Sequence, residues 1–111
     1  SKRNVLADLF ISHGYKAICI YGYGRLGKMI YNALEESTVE VAVILDRRAT
    51  MIAEDVSCPL FANIRLCKEA LNACDAIIVT AIADFDDVKA DLCKYSNLPI
   101  VSLKALLDDA S

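Results

Sequence analysis

The stretch Ala17-Ile18-Cys19-Ile20-Tyr21-Gly22-Tyr23-Gly24-Arg25-Leu26-Gly27 decides how this chain folds. Its first five residues form a continuous apolar run, the pattern of a strand buried on both faces. Three glycines follow in the spacing G-x-G-x-x-G. Leu26, Met29, Ile30, Ala33 and Leu34 then recur at i, i+3, i+4, i+7 and i+8, one stripe of a helix. A strand, a glycine turn and a helix in that order open a phosphate-binding βα unit. Gly22 is expected to permit the tight turn, Gly24 to let the backbone approach a pyrophosphate, and Gly27 to let helix and strand pack closely.

Outward from this unit, apolar runs alternate with helical patterns. Val39 to Leu45 reads as a second buried strand ending at Asp46, nineteen residues after Gly27. That is the place of the acid that accepts hydrogen bonds from a ribose in dinucleotide sites. Residues 47–57 are mixed and polar, a loop with a short helical turn, and 59–62 holds at most a short strand. Ile64 to Ala73 has helical spacing, with Ile64, Cys67, Ala70 and Leu71 on one face. Asp75 to Thr80 is a third clear strand. Phe85, Val88, Leu92 and Tyr95 mark a helix whose first turn carries Asp84, Asp86 and Asp87, suited to the helix dipole and its free N–H groups. Pro99 to Ser102 is a last strand, and Leu103 to Leu107 a closing helix. Val5, Leu6, Leu9 and Phe10 form a leading helix that stops at Gly14.

Strands joined through helices require parallel crossovers. The expected fold is therefore α/β: a three-layer, Rossmann-like, doubly wound parallel sheet of four to five strands, with 17–21 between 39–45 and 75–80. Residues 1–111 make one domain, too short for a two-domain dehydrogenase. Starting at Ser1, the domain is expected to be part of a longer protein.

Composition narrows the classes. Apolar residues are 56% and the net charge is −3, which fits a globular chain with no basic stripe, so nucleic acid is not an expected partner. Residues 1–50 hold seven bases against five acids, and the rest five against ten, so the basic excess accompanies the glycine turn. No apolar run reaches the ~18 residues of a membrane helix, and no signal-peptide pattern is seen. The five cysteines, at 19, 58, 67, 74 and 93, contain no C-x-x-C. They read as reduced thiols in a cytoplasmic protein, with no metal site. His13, beside Gly14, reads as a polar residue near a helix C-terminus.

The expected cofactor-binding residues are Gly22, Tyr23, Gly24, Arg25, Leu26 and Gly27 of the turn, Asp46 and Arg47 after the second strand, and Thr80 and Ala81 after the third, as a wall against the ligand. Arg25 would add charge to a phosphate. Asp46 favours NAD over NADP, because a carboxylate repels a 2′-phosphate; Arg47 and Arg48 could stack on adenine or neutralise a phosphate. Bulky Tyr23 is expected to fill space that a ligand would use. No catalytic residues are assigned: no Tyr-x-x-x-Lys pair stands in a suitable place, one histidine excludes a Ser-His-Asp set, and no P-loop occurs. No turnover is expected of the isolated domain.

Residues 16–27, 43–48 and 75–80, with the ending Pro99-Ile100-Val101-Ser102-Leu103 and Leu106-Leu107, resemble a family of small Rossmann-like domains of bacterial polysaccharide and nucleotide-sugar proteins. Those domains occur at the N-termini of nucleoside-diphosphate-sugar epimerase/dehydratase-like proteins or are fused to glycosyltransferases. The resemblance implies a phosphate-loop role for Gly22, Gly24 and Gly27 and a ribose role for Asp46. It implies NAD, NADP or a nucleotide sugar as ligand, and further domains of the parent chain as partners. The Gly-Arg-Leu-Gly turn is also similar to that of NAD-binding regulatory domains of potassium-transport proteins, although the stretch after Asp46 lacks their Gly-Asp-Ala run. Three functions stay open: a non-catalytic binding module, the cofactor-binding fragment of an NAD-dependent epimerase or dehydratase, and a scaffold or homodimerisation domain without ligand.

Overall fold

The computed structural model describes residues 4–52 and 56–110. Five strands make one all-parallel sheet: β1 (Ala17–Tyr21), β2 (Glu40–Leu45), β3 (Leu60–Phe61), β4 (Ala76–Val79) and β5 (Ile100–Ser102). Their order is β3-β2-β1-β4-β5, so β1 lies between β2 and β4 as expected. Every residue of β4 is buried, as are the central three of β1, which is why these strands read as unbroken apolar runs.

The helices are α1 (Val5–Ser12), α2 (Arg25–Leu34), α3 (Ala49–Ile52), α4 (Lys68–Leu71), α5 (Phe85–Leu92) and α6 (Leu103–Asp109). Parallel crossovers are right-handed, so those running one way along the sheet put their helices on one face and those running back use the other. The core divides accordingly. Ile18, Ile20, Ile44 and Ile78 pack with Phe10 of α1, Ile30 and Leu34 of α2 and Leu106 of α6. Cys19, Val43, Ile77 and Val79 pack with Ile64, Leu71 of α4 and Leu92 of α5. This is a three-layer, Rossmann-like α/β fold.

Local chemistry sets the helix ends. The Asn4 side chain accepts the Ala7 N–H at 3.0 Å as N-cap of α1, and its Nδ2 donates to the Ala33 carbonyl on α2 at 2.7 Å. At the other end Gly14, at φ +82°, takes the left-handed conformation. Its N–H and that of Tyr15 return to the carbonyls of Ile11 and Phe10, a Schellman stop. Ser102 caps α6 through the Ala105 N–H.

The structure corrects the expected helix at 64–73. Residues Ile64–Leu66 form a 3-10 turn capped by Asn63, and α4 begins only after Cys67, whose φ of −119° and ψ of 20° break the helix. The buried spacing of Ile64, Cys67 and Leu71 survives the break because one 3-10 turn and one α-turn both bring i, i+3 and i+7 to the sheet. α5 ends at Leu92 rather than running on to Tyr95, which packs on the same core from the following turn. The expected helical turn within 47–57 is α3; residues 53–55 of that stretch lie outside the described residues. Among the described residues no helix is long and apolar enough to cross a membrane.

Candidate functional site

The expected site lies at the C-terminal ends of β1, β2 and β4, where the chain's crossovers reverse direction along the sheet. Ligands of doubly wound sheets bind in the crevice at such a reversal. Here a cleft of about 380 Å3 is lined by Tyr21, Gly22, Asp46, Arg47, Arg48, Ala81, Asp84 and Val88. A smaller neighbour of about 170 Å3 shares Tyr21, Asp46 and Arg47 with it and continues to Arg65 and Tyr95. Arg65 lies over the Tyr95 ring, 5.6 Å from its centroid. Larger grooves lie elsewhere, among them one of about 430 Å3 between α4 and Tyr95 to Leu98. A second, of about 490 Å3, runs between α2, the start of β2 and Ser57 to Pro59. A third, apolar and of about 620 Å3, lies between α1, α2 and α6. None of these three contains a residue of the glycine turn.

The three glycines have three different reasons to be glycine. Gly22 sits at φ +96°, and a Cβ there would meet Thr80 Oγ1 at 2.5 Å. Gly27 is buried in the first turn of α2, where a Cβ would collide with the Gly22 carbonyl. Both are demanded by the fold. Gly24 is not. It is the N-cap of α2 at φ −85°, open to any residue, and a Cβ there would meet only Arg48 Nη2, at 4.0 Å. No side chain caps this helix start, so its leading N–H groups and the positive end of its dipole face the space above Gly24.

The turn is held from three sides. The Gly22 N–H donates to the Leu45 carbonyl at 2.8 Å. Thr80 Oγ1 lies 3.0 Å from the Tyr21 carbonyl and 2.9 Å from that of Gly22, donating toward both. The Tyr23 N–H donates to Asp46 Oδ2 at 2.7 Å. Asp46 Oδ1 accepts the Arg48 N–H at 2.7 Å, an Asx-turn, and faces Arg48 Nε at 3.4 Å. The Asp46 side chain is only 9% exposed. Burial pushes its pKa up, but the N–H groups of Arg48 and Tyr23 and the Arg48 guanidinium outweigh that and hold it below the ordinary carboxylate value.

The expected site residues therefore divide. Gly22, Asp46, Arg47 and Ala81 meet at the cleft, and Gly24 and Arg25 open α2 beside it. Thr80 is buried beneath the turn as a brace, not a wall against the ligand. Tyr23 does not fill ligand space. Its ring is buried in the core, edge-on to Tyr31 with centroids 5.9 Å apart. Leu26 likewise packs against that core. Arg48, expected only as a residue that could stack on adenine or neutralise a phosphate, lies on the cleft with Arg47. What the sequence reading missed is the Asx-turn that positions it, and the signal was local: an aspartate two residues before an arginine.

Asp84 is the N-cap of α5 without a side-chain bond, so its capping role reduces to charge at the helix start. His13 caps α1, with Nδ1 3.0 Å from the Leu9 carbonyl and its ring stacked on Tyr15. All five cysteines are free; Cys19, Cys67 and Cys74 are buried. Burial raises the pKa of Cys19, Cys58 and Cys67, and that of Cys74 to about 11, so these thiols stay protonated and unreactive at neutral pH. Among the described residues no group of three or more His, Cys, Asp or Glu is placed to hold a metal ion. No protein-family model matches the chain, and no curated protein or solved structure is significantly similar to it.

Proposed function

We propose that this chain is a nucleotide-binding module that seats a diphosphate on the turn from Gly22 to Gly27. NAD is the first candidate ligand, with NADP or a nucleotide sugar as the others. In this reading it serves a bacterial sugar or polysaccharide biosynthesis protein, alongside further domains of the parent chain, in a reducing cytoplasm that keeps its five thiols free. Binding without turnover is the economical role. Hydride transfer needs a substrate held against the nicotinamide and a group to move the proton. The acids beside the cleft are Asp46, already bonded to its own chain, and Asp84 at a helix start.

Gly24 carries the proposal. Among the described residues nothing demands a glycine there, in conformation or in packing. A backbone stripped of its Cβ next to an uncapped helix start suits a phosphate that must come close. One observation favours a second reading, a scaffold that keeps the fold without a ligand: both Asp46 oxygens are engaged by the protein.

Calorimetry and thermal melting with NAD, NADP and UDP-glucose separate the two. A ligand at 100 times its Kd adds about 2.7 kcal/mol, roughly a 10 °C rise in Tm for a domain this small. Binding that is lost in Gly24→Val, while the variant melts like the parent, supports the module. Failure of all three ligands, or equal binding by Gly24→Val, overturns it.

A further inference from the structure

Residues 46–48 do more than end a strand. The Asx-turn at Asp46 folds Arg48 back over the glycine turn. Asp46 Oδ1 faces the Arg48 Nε at 3.4 Å, which leaves both Nη groups for another partner. Arg48 Nη2 is also the one atom, outside Gly24's own helix and neighbours, within 4 Å of where a Cβ on Gly24 would stand. So the same small space is bounded by a bare backbone on one side and a guanidinium on the other.

We infer that Arg48 is the side chain that grips the diphosphate over Gly24, and that Asp46 acts by positioning Arg48 rather than by gripping a ribose. The inference rests on the reading of the turn as a diphosphate seat and deepens it. A guanidinium presents paired N–H donors to phosphate oxygens. A carboxylate whose two oxygens already accept Tyr23 N–H and Arg48 N–H has less to offer a sugar hydroxyl. Recognition then centres on the diphosphate. The ligand class is small molecules that carry a diphosphate, free pyrophosphate included, whereas a bare nucleoside lacks the group that is gripped.

The test is titration calorimetry of the domain with inorganic pyrophosphate, NAD and adenosine, using Arg48→Gln, Asp46→Asn and the double variant, with thermal melting as the control for folding. Arg48→Gln is expected to weaken pyrophosphate and NAD by at least about tenfold, the loss of one charge-assisted contact. Its Tm should stay that of the parent, because the Arg48 side chain is 59% exposed. Asp46→Asn should weaken pyrophosphate too, but add nothing once Arg48 is Gln, since the two act as a unit. An aspartate that gripped ribose would instead weaken NAD and leave pyrophosphate unchanged, which overturns the positioning role. Equal weakening of pyrophosphate by Asp46→Asn in both backgrounds overturns it as well, because a merely loosened turn would act that way. If Arg48→Gln binds pyrophosphate and NAD as tightly as the parent while Gly24→Val does not, the inference falls and the diphosphate seat stands. If the parent takes up neither, both fall.

Discussion

The two loops that line the cleft are built in opposite ways. The turn after β1 is bonded to β2 through Leu45 and Asp46 and to the end of β4 through Thr80. Beyond Thr80, the loop after β4 carries Ile82, 56% exposed, and ends at Asp84, a helix cap with no side-chain bond. One side of the cleft is thus preorganised down to single hydrogen bonds, and the other is lightly held. A rigid wall is where fixed dipoles can be aimed at a charge without reorganising. A lightly held wall is where different ligands can be accommodated at small cost to the fold.

The largest break of that contrast is Gly27→Ala. Its Cβ runs into the Gly22 carbonyl, and backbone cannot give way cheaply. We expect a loss of at least about 3 kcal/mol in urea unfolding, a large share of a small domain's stability. Gly22→Ala comes next, at about 1–3 kcal/mol, from the positive φ and the contact with Thr80 Oγ1. Pairing it with Thr80→Ala should return the steric part and leave the conformational part, a cycle that apportions the two.

A pH series sharpens the same side. The Asp46 pKa lies below its unfolded value of about 3.9. Its contribution to stability is therefore fully present above that value and is lost as pH falls through the lower, folded pKa. Urea midpoints measured from pH 6 down to 3 should fall less steeply in Asp46→Asn than in the parent. Equal slopes would show that the bonds to Tyr23 and Arg48 contribute nothing to stability.

The smallest effects belong to positions that the fold leaves free. Asp84→Ala should cost less than about 0.5 kcal/mol, against about 1 kcal/mol for Asn4→Ala, whose side chain does bond its helix. Gly24→Ala should also stay within about 0.5 kcal/mol, because the poorer cap is offset by a less flexible unfolded chain.

The strands and the glycine turn were legible because each writes its signal into a few adjacent residues. An apolar run such as 76–79 can only be buried on both faces, and Gly22 and Gly27 sit where a turn and a close approach need them. What stayed hidden depends on partners far along the chain. Thr80 reads as a residue after a strand; that its hydroxyl reaches back 59 residues to Tyr21 is a fact of the sheet order. Asp75 reads as a strand start, yet its Oδ2 accepts the N–H groups of Lys16 and Ala17 and holds the beginnings of β1 and β4 together. Those bonds hold its pKa below the ordinary value. Tyr23 was misread because a residue between two glycines carries no sign of which way its ring will turn. The helix at 64–73 was overread because 3-10 and α-turns bury the same spacing.

β2 slips by a residue against β1, with Ile18 opposite Val41 but Cys19 opposite Val43. Across that slip the alternation of faces changes phase: Val41 and Ile44, three apart, share one layer of the core, while neighbours Ala42 and Val43 share the other. After the slip, residues 43–45 run in regular register with Cys19 to Tyr21, and Asp46 follows them. Deleting Ala42 would therefore restore regular alternation, because Val41 and Val43 already face opposite layers, and would leave Asp46 beside Tyr23. The extra residue is thus absorbed before β2 reaches the glycine turn, and the turn keeps a regular pair of strands beneath it.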